Sequence, residues 1–419
     1  MLRDFLAFLK VSAATVARGD TAYYRWMAFL SAWIALGVVA WVLQAMHGLG
    51  VTSLTDHVPW GAYIANFSFS VGLASAALVL VVGAWLYRGE ELGPLVVVGQ
   101  ITSIAALTMG MLFVVVDLGR PDRAWHLMPI IGRFNFPISM LSWDVVVLNG
   151  YLALNFYLAT YWVFSRFRGE KPARERYRPV LLAAIVVAVS IHVVAAFLYA
   201  GLGARPHWNA AILAPRVIVS AFGAGPALLI IVMSVIRDRM AAPVPDSVFD
   251  RLRGVVTIAV FANLFLFGAE IFTELYGGSA HSASLRYLLF GLHGHHLLVP
   301  YIWLAIALNT TSAVILAVRR LFVDRRVLLA ACGMTIVGMW IEKGMGLVIP
   351  GFIPSSLGEI VEYSPSFGEF AVCAGVWAGG AMVLTVLLKV AIPVEFHDLR
   401  LHPASAPAPS APAAGPALT

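Results

Sequence analysis

Ten separate stretches of about 20 apolar residues decide what this chain can become. A helix that crosses a bilayer needs roughly that length. The stretches run over residues 26–46, 60–87, 94–116, 138–164, 180–200, 217–236, 255–276, 297–318, 327–349 and 368–392. Charge or turn chemistry separates them, as at Gly119-Arg120-Pro121-Asp122 and Arg205-Pro206-His207. Composition agrees: 60% of the 419 residues are hydrophobic and 12% are charged. A water-soluble domain carries about twice that share of charge. The expected fold is therefore an all-α integral membrane protein of about ten transmembrane helices.

The formal net charge of +6 is a topology signal rather than a nucleic-acid footprint. With the N-terminus on the cytoplasmic side, three quarters of the 28 Lys and Arg fall in inward-facing segments. The 166–178 loop alone holds Arg166, Arg168, Lys171, Arg174, Arg176 and Arg178, whereas Arg120, Arg123, Arg133, Arg205, Arg216, Arg286 and Lys343 fall outside. Positive charge favours the cytoplasmic side, so both termini are expected there and the helix count is even. Residues 1–25 alternate apolar and charged groups as an interfacial, amphipathic segment without a cleavable leader's apolar core. Residues 396–419 form an Ala/Pro/Ser-rich tail expected to be disordered. Cys332 and Cys373 each stand alone in apolar surroundings. No CxxC or four-cysteine pattern provides for an iron–sulfur cluster, a zinc ribbon or a c-type haem.

Ionisable side chains inside a bilayer are costly and mark candidate functional positions. Here they crowd toward the outer face. Asp117 closes the third helix. Asp144 enters the fourth helix by about 10 Å at 1.5 Å per residue. Asn66 and His192 lie in the outer halves of their helices. Glu270 and Glu274 share one face of the seventh helix at i and i+4. Glu342 and Lys343 adjoin at the end of the ninth. Inner halves carry hydroxyls such as Thr102, Ser103 and Thr108 instead. The loop from Asp117 to Asp144 gathers Arg120, Asp122, Arg123 and His126 around the same mouth, and another outer loop carries His281, His293, His295 and His296. Bland readings stand beside the functional ones. Asp117 with Arg120 or Arg123 is also what a helix-end ion pair looks like. Glu270 and Glu274 are placed to pair with the His293–His296 group, and Glu342 with Lys343 to form a structural ion pair. The histidine spacing fits no familiar metal site.

A mouth of aspartates and a histidine between apolar helices suits a quinone. Its head group must leave the lipid and meet proton donors and acceptors near one face, and oxidation of a quinol releases two protons and two electrons. With no cluster motif in the chain, the electrons need another subunit. A b-type haem needs two axial histidines at matching depth, and only His192 is clearly within a span. The rivals are an ion-coupled secondary transporter, which favours sites near the midplane, a haem b membrane anchor, and an anchor with no redox role.

Three stretches carry a family resemblance: VPWGAYIANFSFSVGLASAA (58–77), DLGRPDRAWHL with SMLSWD (117–127 and 139–144), and PGFIPSSLGEIVEYSPSFGE (350–369). By these the chain resembles the polysulfide reductase membrane-subunit (NrfD-like) family over about residues 20–395. The likeness is to its ten-helix subgroup, with the Dsr-complex and HybB-type hydrogenase subunits. The resemblance implies two four-helix bundles, at 58–200 and 201–350, flanked by one extra helix at each end, at 26–57 and 351–395. It implies no haem or iron–sulfur cluster in the chain itself. Electrons would pass between the menaquinone or ubiquinone pool and a periplasmic ferredoxin-like [4Fe-4S] subunit of a larger complex, in the bacterial inner membrane. The quinone site it implies lies at the outer end of the first bundle. Here that means Asp144, His126 and Asp117 for the chemistry, and Trp60, Asn66, Arg120 and Trp143 for ring or carbonyl contacts. His192, Glu270 and Glu274 are the further proton-transfer candidates.

Overall fold

The computed structural model describes residues 1–86, 93–278, 282–318, 320–321, 324–397 and 399–401. The tail from His402 onward, Arg88, Arg319 and His281 lie outside the described residues. The described chain is helical throughout. An interfacial helix α1 (Leu2–Ala17) is followed by α2 (Thr21–His47), α3 (Ala62–Leu73) and α4 (Ala76–Leu86). Then come α5 (Gly93–Asp117), α6 (Met140–Phe167), α7 (Arg174–Ala200), α8 (Leu213–Arg239) and α9 (Asp246–Gly277). A short α10 (Ser282–Phe290) precedes α11 (Val299–Ala317), α12 (Arg325–Lys343) and α13 (Phe367–Phe396). Among the described residues nine helical segments are long and apolar enough to cross a membrane, with α3 and α4 counted as one. The 28-residue α6 is long enough to be the tenth, but Asn149, Asn155 and its tyrosines make it less apolar.

Helices α3 to α7 pack around one another, as do α8, α9, α11 and α12, and the two groups meet chiefly where α3 and α7 lie against α8. The extra helices before and after these two groups in the chain are α2 and α13. They pair with each other, and α13 rests on α5. The sequence of α2 explains the pairing. Its buried residues are Leu30, Gly37 and Gln44, one every seven residues, flanked by half-buried Trp33, Ala40 and Trp41, while most of the helix is exposed. At the middle of this seam Gly37 meets Gly375, where an added Cβ would lie 2.7 Å from the partner glycine's Cα. Small residues permit such a crossing in lipid, where packing substitutes for the hydrophobic effect.

The chain ends and the α6–α7 and α8–α9 loops share one face of the molecule. Arg168 lies 3.8 Å from Asp4, the Leu401 amide donates to Phe167 O, and His397 contacts Met240 O. Phe8 of α1 is buried against Phe164 and Phe167, which fixes the amphipathic helix to the bundle. This is the terminal face; the α2–α3, α5–α6, α7–α8, α10–α11 and α12–α13 connections form the opposite face. There Trp60 stacks on Trp208 at 5.7 Å, and Phe352 meets both rings edge-on. This aromatic cluster closes the seam between the two helix groups.

The second apolar stretch is not one continuous helix. It breaks at Ala74–Ser75, deep in the bundle. An interrupted helix inside a membrane needs substitutes for its lost backbone hydrogen bonds. The Ser103 hydroxyl supplies them, donating to Ala74 O at 2.7 Å and accepting from the Ala77 amide at 3.0 Å. Ser75 donates across to Ala221 O of α8. The groups that meet the break are all neutral.

Candidate functional site

The opposite-face end of the first helix group brings together Asp117, Asp144, Tyr199, Tyr63 and Trp60. Asp144, on the second turn of α6, is 3% exposed, and Asp117 ends α5 with its Oδ1 buried and, among the described residues, without a hydrogen-bond partner. Both carboxyls lie close enough to Tyr199 of α7 for their charges to act on its phenol. Tyr199 is itself hydrogen-bonded to Ser68 of α3 and packs edge-on against Trp60 at 5.8 Å. On the far side of Asp117, Tyr63 donates to Gln44 Oε1 at 2.6 Å, and Gln44 Nε2 donates to Val116 O at 2.7 Å. Two carboxyls, a phenol and an indole thus surround one end of a bundle otherwise lined by apolar residues.

Glu369 forms the third acidic wall, near enough to Asp117 for their charges to interact. It is fully buried, and its oxygens accept from the amides of Ser53 and Ser366 and the hydroxyls of Ser366 and Tyr363. Locally this is a capping box: Ser366 and Glu369 satisfy each other's amides at the start of α13. Tyr363 also accepts from the Ala62 amide. Burial first, and the Glu369 acceptor next, hold its phenol far above the ordinary tyrosine range. Gly61 makes room for this ring, since a Cβ there would lie 2.3 Å from it.

Other expected site residues have different surroundings. Asn66 is buried, and its side chain is saturated. Its Oδ1 accepts from the indoles of Trp340 (2.9 Å) and Trp377 (2.8 Å), and its Nδ2 donates to Ala62 O. That amide ties α3 to α12 and α13. His126 sits half-buried on a 3₁₀ turn, its ring stacked on Trp125 at 3.8 Å. Among the described residues no hydrogen bond or ion pair joins it to either aspartate. Arg120 makes a bidentate pair with Asp122 rather than Asp117. Trp143, half-buried, donates to Pro137 O at 2.8 Å and packs against Phe136. His192 is buried in α7, its Nδ1 on Ala188 O.

The second helix group contains a buried charge cluster that sequence reasoning did not assemble. Arg216, which the sequence places among the loop cations, is 4% exposed inside α8. It is hydrogen-bonded to Glu270 and holds Glu342 through Nε (3.1 Å) and Nη2 (2.8 Å). Asn263 and Asn309 complete Glu342. The partner of Glu270 is therefore Arg216 and not the histidine loop, and the partner of Glu342 is Arg216 as well. Lys343 is buried beside the cluster, and Glu274 lies one turn beyond Glu270, half-buried. His293 and His295 belong to a tight turn in which His293 has φ +51°, and His295 faces Glu362 at 3.4 Å.

A model of the polysulphide reductase NrfD family matches residues 50–353, which is most of the helical array just described. The chain belongs to this family. Among NrfD relatives, a putative dimethyl sulfoxide reductase membrane subunit of Halobacterium salinarum is 25% identical, covering 90% of this chain and 92% of that protein. A selenate reductase subunit of Mesobacillus selenatarsenatis is 22% identical over 91% of this chain and 96% of its own. An Hdr-like menaquinol oxidoreductase integral membrane subunit of Archaeoglobus fulgidus is 25% identical over about half of each chain. This NrfD-family chain is a multi-pass membrane protein.

Proposed function

We propose that this chain is the quinone-reactive subunit of a respiratory oxidoreductase complex. It exchanges electrons between menaquinone or ubiquinone in the bilayer and an iron–sulfur subunit on the periplasmic face of a bacterial inner membrane. The observation that carries the reading is the pair of carboxyls, Asp117 with its unpartnered buried oxygen and Asp144, set beside Tyr199 and Trp60 at one end of an apolar bundle. Relatives named as a dimethyl sulfoxide reductase membrane subunit, a selenate reductase subunit and a menaquinol oxidoreductase membrane subunit support the redox assignment. The recurrent basic residues of the terminal face support a cytoplasmic location for both termini.

The chemistry follows from the groups present. A quinol bound with one hydroxyl toward Asp144 and the other toward Asp117 has an acceptor for each proton it sheds. The two electrons pass to the partner's clusters, and the protons leave by the nearby face. Tyr199 donates to a ring oxygen, and Trp60 offers a flat apolar wall. A b-type haem would need a second histidine opposite His192. Among the described residues the other buried histidine, His207, lies on the short turn between α7 and α8 rather than on a facing helix, so these residues do not fit one. The helix break at Ala74–Ser75 is a feature shared with transporters, but it lacks the carboxylate that binds a coupling ion.

The test is quinol turnover by the complete complex. Asp144→Asn is expected to lower it by about a hundredfold or more, the scale of a lost general base, with assembly intact. Tyr199→Phe is expected to raise KM more than it lowers kcat. Normal turnover in Asp144→Asn overturns the assignment.

A further inference from the structure

The paired helices α2 and α13 touch at Gly37–Gly375 and part toward the opposite face. Between the crossing and that face lies a groove of about 470 Å³, walled by Leu36, Val39 and Leu43 on α2 and by Ala371 on α13. Its polarity is graded along the helices. The end near the crossing is apolar. At the far end Gln44 and Glu369 line it, and both belong to the surroundings of Asp117. Gln44 is hydrogen-bonded to the carbonyl that precedes Asp117, and Glu369 acts on the Asp117 charge across the wall. Val39 and Leu43 are 58% and 52% exposed, so the groove opens sideways to lipid along its apolar length, and exposed His47 and Phe367 mark its end at the opposite face.

We infer that this groove receives the isoprenoid tail of the quinone and is the lateral entrance to the Asp117–Asp144 site; the inference rests on the proposed quinone function. A membrane quinone is a polar ring on a long apolar tail, and the groove repeats that order, polar toward Asp117 and apolar toward the membrane interior. The glycine crossing sets its floor, because helices in contact there leave no room further toward the terminal face. The one fully buried polar side chain of α2, Gln44, stands at the junction of groove and site. It is a positioning residue that holds the α2 wall against α5.

The experiment measures steady-state kinetics of the complete complex with two quinols of the same ring, one carrying several isoprene units and one carrying none. In Val39→Trp, which fills the groove, KM for the tailed quinol is expected to rise roughly tenfold, the equivalent of about two buried methylenes. KM for the tailless quinol should stay at the unaltered value. Ile258→Trp, on the exposed face of α9, serves as a control and should change neither. A tailed quinone bearing an azide on its first isoprene unit should label peptides of α2 or α13. If Val39→Trp changes neither KM or both equally, or if the label falls on other helices, the groove assignment is overturned while the quinone reading stands. If the unaltered complex turns over neither quinol, the quinone reading itself fails.

Discussion

Asn66 shows how a single polar side chain can be read two ways. In sequence it is an amide in the outer half of an apolar helix, available to a carbonyl ligand. In the fold it is a junction where two indole N–H groups converge. Removing it leaves two buried donors unsatisfied, each costing about 1–3 kcal/mol. Asn66→Leu is therefore expected to lower stability to SDS or heat by several kcal/mol while the KM for quinol in the surviving protein stays unchanged. A stable variant with weakened quinone binding would return Asn66 to the site. The aspartates behave otherwise. Asp144 was legible because a carboxyl so deep in a helix demands a reason, and its position in the fold keeps that demand. Tyr199 was not legible. A tyrosine at a helix end, in AAFLYAG, resembles many interfacial tyrosines, and only the packing of α7 on α3 sets it between Ser68 and the two carboxyls. Glu369 left a trace in sequence, the Ser366-x-x-Glu369 spacing of a capping box. The spacing foretells the cap but not its proximity to Asp117.

Among the elements, all ten long apolar stretches were legible, because twenty apolar residues leave a chain few alternatives. The break between α3 and α4 was not, since no proline or charge marks it and its sequence, GLASAAL, suits an unbroken helix. Its stability rests on Ser103. Ser103→Ala removes a donor and an acceptor from buried backbone and should cost about 2–4 kcal/mol by the penalty for unmade hydrogen bonds. Hydrogen exchange at Ala77 should rise selectively; unchanged protection there would mean that the break is held by other contacts. The opposite-face loops have a different fastening. Glu362 accepts from the Leu297 amide (2.7 Å) and from Tyr287 (3.0 Å), with His295 nearby. Burial works against its charge, but these partners together hold the carboxyl below its ordinary range. A depressed carboxyl stabilises the fold above its unfolded value, about 4.3, and that stabilisation fades as pH falls through the lower folded value. Protection of the Leu297 amide should therefore drop below about pH 4. In Glu362→Gln that pH dependence should vanish, and protection persisting unchanged to pH 3 would refute the fastening.

At the scale of the whole molecule the two helix groups divide the polar residues unequally in kind. The first keeps Asp117 and Asp144 buried and, among the described residues, without an ion pair. The second pairs its carboxyls with a buried cation and two amides, and Arg216 also stacks 4.5 Å over the Phe267 ring. Sequence reasoning sorted Arg216 into a loop because it stands at the start of an apolar stretch, where interfacial arginines are common; only the convergence of α8, α9 and α12 draws it inside. Unpaired carboxyls suit proton exchange, whereas a matched cluster suits cohesion, and these assignments can be separated by experiment. Arg216→Gln leaves Glu270 and Glu342 buried without the cation that hydrogen-bonds them, with only the neighbouring Lys343 beside them, a change worth about 3–5 kcal/mol when one partner of a buried pair is lost. Assembly of the complex should fall steeply. Because the cost lies in the stranded charges rather than in the lost pair, Arg216→Gln combined with Glu270→Gln and Glu342→Gln should recover much of the stability, less the cost of leaving Lys343 as the cluster's one uncompensated charge. If the cluster serves cohesion alone, quinol turnover per assembled complex returns with it. If the triple variant assembles but remains inactive, the second helix group takes part in the reaction, and proton movement must be sought across both halves of the molecule.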